Sequence, residues 1–416
     1  MADYDRGANL NVPPGGRLTA AQILDYAKPP TSRAGGQNLG LASYQWATRP
    51  PDERFVTMEA LLAATEARRD RSDEFPNVSI AGNLDVKYVE EGPLAGNLYA
   101  VSYGEAPAIF TNWSMSQFNS VVGGPDTRWL RDMPPPVAKF ALNASIKYRQ
   151  RIDGDTRVKL LAAPPAGDEP AVLRAVTGPD YGRIWDADIA RTIMLINDGR
   201  WVVPGKVAGR GMADGYTEVT KQSTTLYASD RDMWAFLVDE QHPLQIGDAD
   251  YFRGFIVSNS EVGDAKFKLL SFYFNRVCQN RCIWDAIGMA ELSFRHSSKA
   301  PQRFLEEAAP VLAAYSNASV RGVEAAFAKA KTVTVGQTIK DAEDFLREQG
   351  FGQFDSKLIP VLAERATDVG STGDPTSIYD LVMGATALAR ELVYADARVD
   401  YERRAGGLLN KYVRLN

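Results

Sequence analysis

Asn83-Leu84-Asp85-Val86-Lys87-Tyr88-Val89 alternates polar and apolar side chains from Asn83 through Tyr88. A period of two is that of a half-buried strand. The same reading extends outward to Leu98–Tyr103, Ala108–Thr111, Arg157–Leu161, Val172–Val176, Thr224–Tyr227, Met233–Val238 and Gly254–Ser258. Helical spacing falls between them, near 115–122, 135–149 and Asp186–Asn197, where Ile189, Ile193, Met194 and Ile196 are apolar. Phe267–Trp284 is apolar almost throughout and predicts a helix or a helix-strand pair. Strands and helices interleave without a regular βαβ rhythm, so the expected class is α+β.

The flanks differ from this core. Residues 1–75 carry Pro13-Pro14-Gly15-Gly16, Pro29-Pro30 and Arg49-Pro50-Pro51, and predict an extended arm with one short helix at 57–69. Beyond 286 the strand signals stop, Thr338-Ile339-Lys340-Asp341 fits a capping box and Gly350 fits a helix stop. Two seven-residue series, Ile378, Ala385, Leu392, Val399 and Leu381, Leu388, Ala395, predict a helical seam that either packs within a bundle or meets another subunit. The expected division is an arm at 1–75, a mixed strand-helix core at 76–285 and an all-helical unit at 286–416.

The chain of 416 residues, 45% hydrophobic and 24% charged, is long enough for two or three structural units. A formal charge of −5 excludes a surface that clings everywhere to nucleic acid, but leaves room for a local basic groove. Two cysteines, Cys278 and Cys282, are too few for a disulfide scaffold, and a reducing cytoplasm is the expected compartment. Neither a secretory leader nor an apolar run of membrane-spanning length is read.

Catalytic patterns are weak. Cys278 and Cys282 with His242 and His296 lack the usual zinc spacing, and buried cysteines are common packing residues. No G-x-S-x-G elbow occurs. Asp230-Arg231-Asp232, Asp239-Glu240 and Asp248-Ala249-Asp250 read as solvated turns, with a metal-dependent nuclease as a minor alternative. Gly205–Gly211 and Gly215 form a glycine-rich loop that matches no phosphate-binding motif and reads as a hairpin tip. No catalytic residue, metal or cofactor is assigned.

Cations interleaved with aromatics are the most suggestive feature. Lys139-Phe140, Lys147-Tyr148-Arg149 and Arg151 form one cluster; Lys266-Phe267-Lys268, Phe272, Tyr273, Phe274, Arg276 and Arg281 form another. Residues 262–303 hold seven Lys and Arg against three Asp and Glu, a local balance of +4. Single-strand binders need cations along the phosphates and flat side chains for the bases. The eight cations are the candidate nucleic-acid contacts, and the two segments are expected to line one face.

Four blocks carry a family resemblance: Arg128-Trp129-Leu130-Arg131 with Pro135, Pro136 and Leu142-Asn143; Leu173–Thr177 with Tyr181, Asp186 and Ile189; Ser258-Asn259-Ser260-Glu261-Val262-Gly263; and Arg276-Val277-Cys278-Gln279-Asn280 with Arg295-His296. Over roughly 115–300 the chain resembles a phage- and plasmid-borne family of unknown function. It departs from that family at Arg281, where the pattern continues with Gly. The mixed core is distantly similar to single-strand annealing proteins of the Redβ, Erf and RecT group. The resemblance implies a non-enzymatic, homo-oligomeric protein that binds or anneals single-stranded DNA in recombination. The alternative is a structural or interaction protein associated with a phage particle. Asn259-Ser260-Glu261-Val262-Gly263 predicts a tight loop, a plain turn or one presenting Asn259 and Glu261 to a ligand.

Overall fold

The structure, a computed structural model, describes residues 51–413 except 89, 92–94, 96–97, 103–107, 125–126, 166–169, 205, 208–215, 218, 222–223, 247–248, 276–280, 283–291, 319–320, 352–358, 360–375 and 392–394. In chain order its elements begin with β1 (Arg54–Phe55), α1 (Met58–Asp70), β2 (Asp73–Ser79), α2 (Ile80–Asn83), β3 (Leu84–Tyr88), β4 (Leu98–Ser102) and β5 (Ala108–Phe110). Three helices follow, α3 (Asn112–Val122), α4 (Thr127–Asp132) and α5 (Pro135–Asp153), then β6 (Arg157–Ala163), β7 (Ala171–Thr177) and α6 (Asp186–Ile196). The strands β8 (Trp201–Val202), β9 (Lys206–Val207), β10 (Tyr216–Thr217), β11 (Leu226–Ala228), β12 (Met233–Ile246), β13 (Ala249–Asn259), β14 (Phe267–Asn275), β15 (Arg281–Cys282) and β16 (Leu292–Phe294) come next. The rest is helical: α7 (Ala300–Arg303), a π turn at Phe304–Ala308, α8 (Ala309–Ser316), α9 (Arg321–Thr332), α10 (Ile339–Glu348), α11 (Ile378–Glu391) and α12 (Ala395–Tyr412).

The class is α+β. A six-stranded sheet runs β2-β6-β7-β5-β4-β3, antiparallel except for the β5–β7 pair. An eight-stranded antiparallel sheet runs β1-β11-β12-β13-β14-β15, with β8 on β12 and β16 on β14. Helices α3 to α5 bury one face of the smaller sheet through Phe118, Leu130, Leu142 and Ile146. On the larger sheet, Phe255, Val257, Phe267 and Leu269 pack under α1, α6 and α8, while Tyr251 and Tyr273 on the same face enter the core of the C-terminal helices.

Three expectations are corrected. Residues 51–75 are not part of an extended arm: Met58 and Leu61 of α1 are buried in the core of the eight-stranded sheet, and β1 and β2 join the two sheets. The apolar stretch from 267 is a strand through Asn275, not a helix; it looks helical in sequence because Phe267 and Leu269 face one core while Leu270 and Phe272 face another. The boundary at 285 moves, since β16 returns to β14. Among the described residues beyond 300 only helix occurs, apart from a single bridge between Thr334 and Ser377. Thr338 and Asp341 form the expected capping box, and Gly350 takes φ +81.

The seam residues Ile378, Leu381, Ala385 and Leu388 are buried inside the chain's own bundle, and Val399 packs on the eight-stranded sheet. Leu392 lies outside the described residues. The glycine-rich loop is confirmed as a hairpin by pairing of β9 with β10, and 208–215 lies outside the described residues. Asp232 and Asp239 are buried rather than solvated: Asp232 accepts from Ser229 Oγ at 2.7 Å, and Asp239 binds Arg253 and His242 at 3.3 and 3.0 Å.

The Leu142-Asn143 step explains how the smaller sheet ends. Leu142 is fully buried, while Asn143 turns to the outer rim of β3. Its Oδ1 accepts from Val86 N at 3.1 Å and its Nδ2 donates to Val86 O at 2.8 Å. The carboxamide thus occupies backbone groups that another strand would otherwise pair. Asn143→Ala should destabilise the protein by about 1–3 kcal/mol, because two strand-edge groups lose their partner. A urea midpoint equal to that of the wild type would contradict this role.

Candidate functional site

The loop between β13 and β14 is tight, as its sequence predicts, and Gly263 adopts φ +82. It does not present Asn259 and Glu261 to a ligand. Both are buried, at 0% and 2% exposure. Glu261 Oε2 accepts from Arg174 Nη2 at 2.9 Å, and Oε1 accepts from the backbone N–H of Asp186 at 3.0 Å. One carboxylate therefore pairs with a cation from β7 and caps the N-terminus of α6, where negative charge is favoured. Asn259 Nδ2 donates to Ile184 O at 2.9 Å and to Asp186 Oδ1 at 2.8 Å.

A second layer surrounds the loop. Arg183 donates through Nη1 to the Glu261 carbonyl and stands 3.3 Å from Glu74. Its guanidinium lies over the rings of Tyr181 and Trp185, at 5.3 and 5.6 Å. Tyr181 donates to Ser260 O at 2.9 Å, Trp113 Nε1 to Val262 O at 2.9 Å and Gln117 Nε2 to Val262 O at 2.7 Å. Gly182 N donates to His296 O and its carbonyl lies 3.1 Å from His296 Nδ1, and a Cβ there would come within 2.0 Å of Ser297 O, so glycine is required. The loop thereby ties the larger sheet to the smaller one and to α6.

Burial governs the titrating groups. Burial, then the nearby Glu261 charge, holds the Asp186 carboxyl well above the usual carboxylate range. Burial pushes the Arg183 guanidinium down and the Tyr181 phenol up. His296, stacked on Tyr181 at 5.0 Å, is lowered to about 4, chiefly by burial and further by Arg183. No cluster of His, Cys, Asp and Glu able to hold a metal occurs among the described residues. Cys278 lies outside them.

The cation segments stand on different sheets. Lys139, Lys147, Arg149 and Arg151 belong to α5, which packs on β3, α2 and α3 of the smaller sheet. Lys266 and Lys268 belong to the turn before β14 and to β14 itself, in the larger sheet. Arg276 lies outside the described residues, and Arg281 is placed on β15 by its backbone alone. Arg149 pairs with Asp153 at 2.5 Å. Lys139, Lys147, Arg151, Lys266 and Lys268 form no ion pair with described residues.

The outward side of α5 is unusual. Phe140 and Tyr148 are 75% and 62% exposed, with Val137 and Ile152 at 44% and 57%. Phe140, Lys147 and Arg151 fall within about 40° of one another around the helix axis, in a stripe about 16 Å long. Beside α3 an open groove of about 450 Å³ is lined by Trp113, Ser116, Gln117, Ser120, Tyr181 and Gly263, among others. Arg174 and Arg183 were not singled out from sequence as site residues, since arginines in and beside a strand read as surface. Compared with known proteins, the chain matches no family model, no curated protein and no solved structure.

Glu261→Ala would leave Arg174 buried without its carboxylate and α6 without its cap, a loss of about 3–5 kcal/mol. Thermal unfolding within a degree of the wild type would contradict a structural role for Glu261. His296 gives a pH signature. Its folded pKa lies below its unfolded value near 6.5, so its contribution is complete above that pH and is lost as pH falls toward about 4. Asp186 is shifted upward and acts in the opposite sense, so the comparison is with His296→Asn, in which Asp186 is retained. Between pH 6.5 and 4 the wild type should lose up to about 3 kcal/mol more stability than the variant. Parallel stability curves would show that His296 is not buried in its neutral form.

Proposed function

We propose that this protein is a non-enzymatic binder of single-stranded DNA, and that the outward face of α5 is its contact surface. The supporting observation is that Phe140 and Tyr148 stand exposed beside Lys147 and Arg151, two cations without a carboxylate partner among the described residues. Flat rings receive bases and cations neutralise phosphates, an arrangement tolerant of sequence. Lys266 and Lys268 lie on the other sheet and are not needed for this face. Binding is stoichiometric and calls for no cofactor, and homo-oligomers would extend the contact along the strand.

A second reading, a structural or phage-particle interaction protein, draws on Val137 and Ile152, which add exposed aliphatic surface to the same helix. Among the described residues no helix is long and apolar enough to cross a membrane. The cytoplasm of a bacterial host suits the first reading and a virion-associated place the second.

The two readings separate by salt. Removing Lys147 and Arg151 together should weaken oligonucleotide binding at low salt and reduce the slope of log affinity against log salt by about 1.4, at about 0.7 per phosphate contact. Phe140→Ala with Tyr148→Ala should weaken binding while leaving that slope intact. Absence of salt-sensitive binding in the wild-type protein would leave the interaction reading in its place.

A further inference from the structure

Asn259 sits in the joint between the two sheets with one bond missing. Its Nδ2 donates both hydrogens, to Ile184 O at 2.9 Å and to Asp186 Oδ1 at 2.8 Å. A backbone carbonyl can only accept, so the Ile184 contact fixes which end of the carboxamide is nitrogen. The other end, Oδ1, is buried and meets no donor among the described residues. A buried acceptor without a donor is costly.

Asp186 is the bonded neighbour able to supply that donor. Its residue is 1% exposed. As a carboxylate it can only accept; as a carboxylic acid it gains one O–H donor while its other oxygen still accepts. A neutral carboxyl facing a carboxamide can make two bonds at once, acid O–H to amide oxygen and amide N–H to acid carbonyl. The second of these is the Asn259–Asp186 contact already present.

The surroundings favour the neutral form. Glu261, on the β13–β14 loop, accepts from Asp186 N–H through Oε1 and from Arg174 through Oε2. Both of its oxygens have donors, and a second carboxylate charge beside it would be repelled. Burial first, and then the Glu261 charge, raise the Asp186 carboxyl. Arg68 of α1 and Arg174 of β7 act against this, but neither bonds Asp186: Arg68 Nη2 donates to Ala228 O, and Arg174 divides between Glu261 and Ser72. Tyr181 and Arg183 stand just before α6, and Arg183 is taken up by the Glu261 carbonyl and Glu74. We infer that Asp186 holds a proton near neutral pH and donates it to Asn259 Oδ1, making the joint between the sheets a proton-dependent lock that weakens as the proton leaves. This lock is independent of the α5 face.

An unfolded aspartate titrates near pH 4, so the contribution of this proton is complete below about pH 4 and falls as pH rises toward the folded-state value. Asp186→Asn offers Asn259 the same donor and acceptor and never titrates. Relative to that variant, the unfolding constant of the wild type should rise up to about tenfold per pH unit, on the order of 100-fold from pH 5 to 7. His296 and Glu261 are kept in both proteins, so their own titrations cancel. An ionised Asp186 held by Arg68 and Arg174 predicts the opposite sign, with the variant losing stability against the wild type as pH rises. That outcome, or parallel pH curves, would overturn the proposal. The infrared spectrum of the wild type at pH 7 should also carry the carbonyl band of a protonated carboxyl that Asp186→Asn lacks. A wild-type spectrum without such a band would overturn the proposal even if the variant fails to fold.

Discussion

A carboxylate removed from water must find cations and donors within reach, and Glu261 finds them on two separate elements. Arg174 comes from the six-stranded sheet and the Asp186 N–H from the start of α6, while the loop that carries Glu261 belongs to the eight-stranded sheet. Charge burial of this kind is costly unless every partner is in place, so the three elements are held in one arrangement. Arg183, pinned between the Glu261 carbonyl and Glu74, and Asn259, bonded to Ile184 and Asp186, repeat the same coupling. The relation between the two sheets depends on this loop more than on any single apolar contact.

That constraint decides where chemistry is left over. The loop consumes its own polar side chains internally, so Asn259 and Glu261 have nothing to offer a ligand. Its backbone carbonyls orient Trp113, Gln117 and Tyr181, and these in turn shape the groove beside α3. The outward face of α5 is built on a rigid helix whose Leu142 and Ile146 are buried, so the spacing of Phe140, Lys147 and Arg151 is fixed by helix geometry. A chain of net charge −5 thereby keeps, among the described residues, a surface where aromatics stand beside cations that pair with no described carboxylate.

Much of the fold was legible in sequence, for identifiable reasons. Leu84 to Tyr88 reads as a strand because one face is wet, and Thr338 to Asp341 reads as a helix start because capping is a local interaction. Elements buried on both faces carry no period, which is why β14 resembles a helix. The tight turn at Asn259–Gly263 was readable from its residue types, but turn chemistry does not say which side a side chain points. Arg174 and Arg183 were illegible as site residues because their partner is distant in sequence. The α5 cluster was visible as interleaved cations and aromatics; its separation from Lys266 and Lys268 was not, since it depends on which sheet each segment joins.

Hydrogen exchange of the wild-type protein, with and without a short single-stranded oligonucleotide at low salt, tests the binding face most directly. Slowed exchange is expected at amides of α5, with β12 to β14 unchanged. Protection confined to the Lys266–Lys268 strand or to the C-terminal helices, with α5 unaffected, would contradict a binding surface on α5.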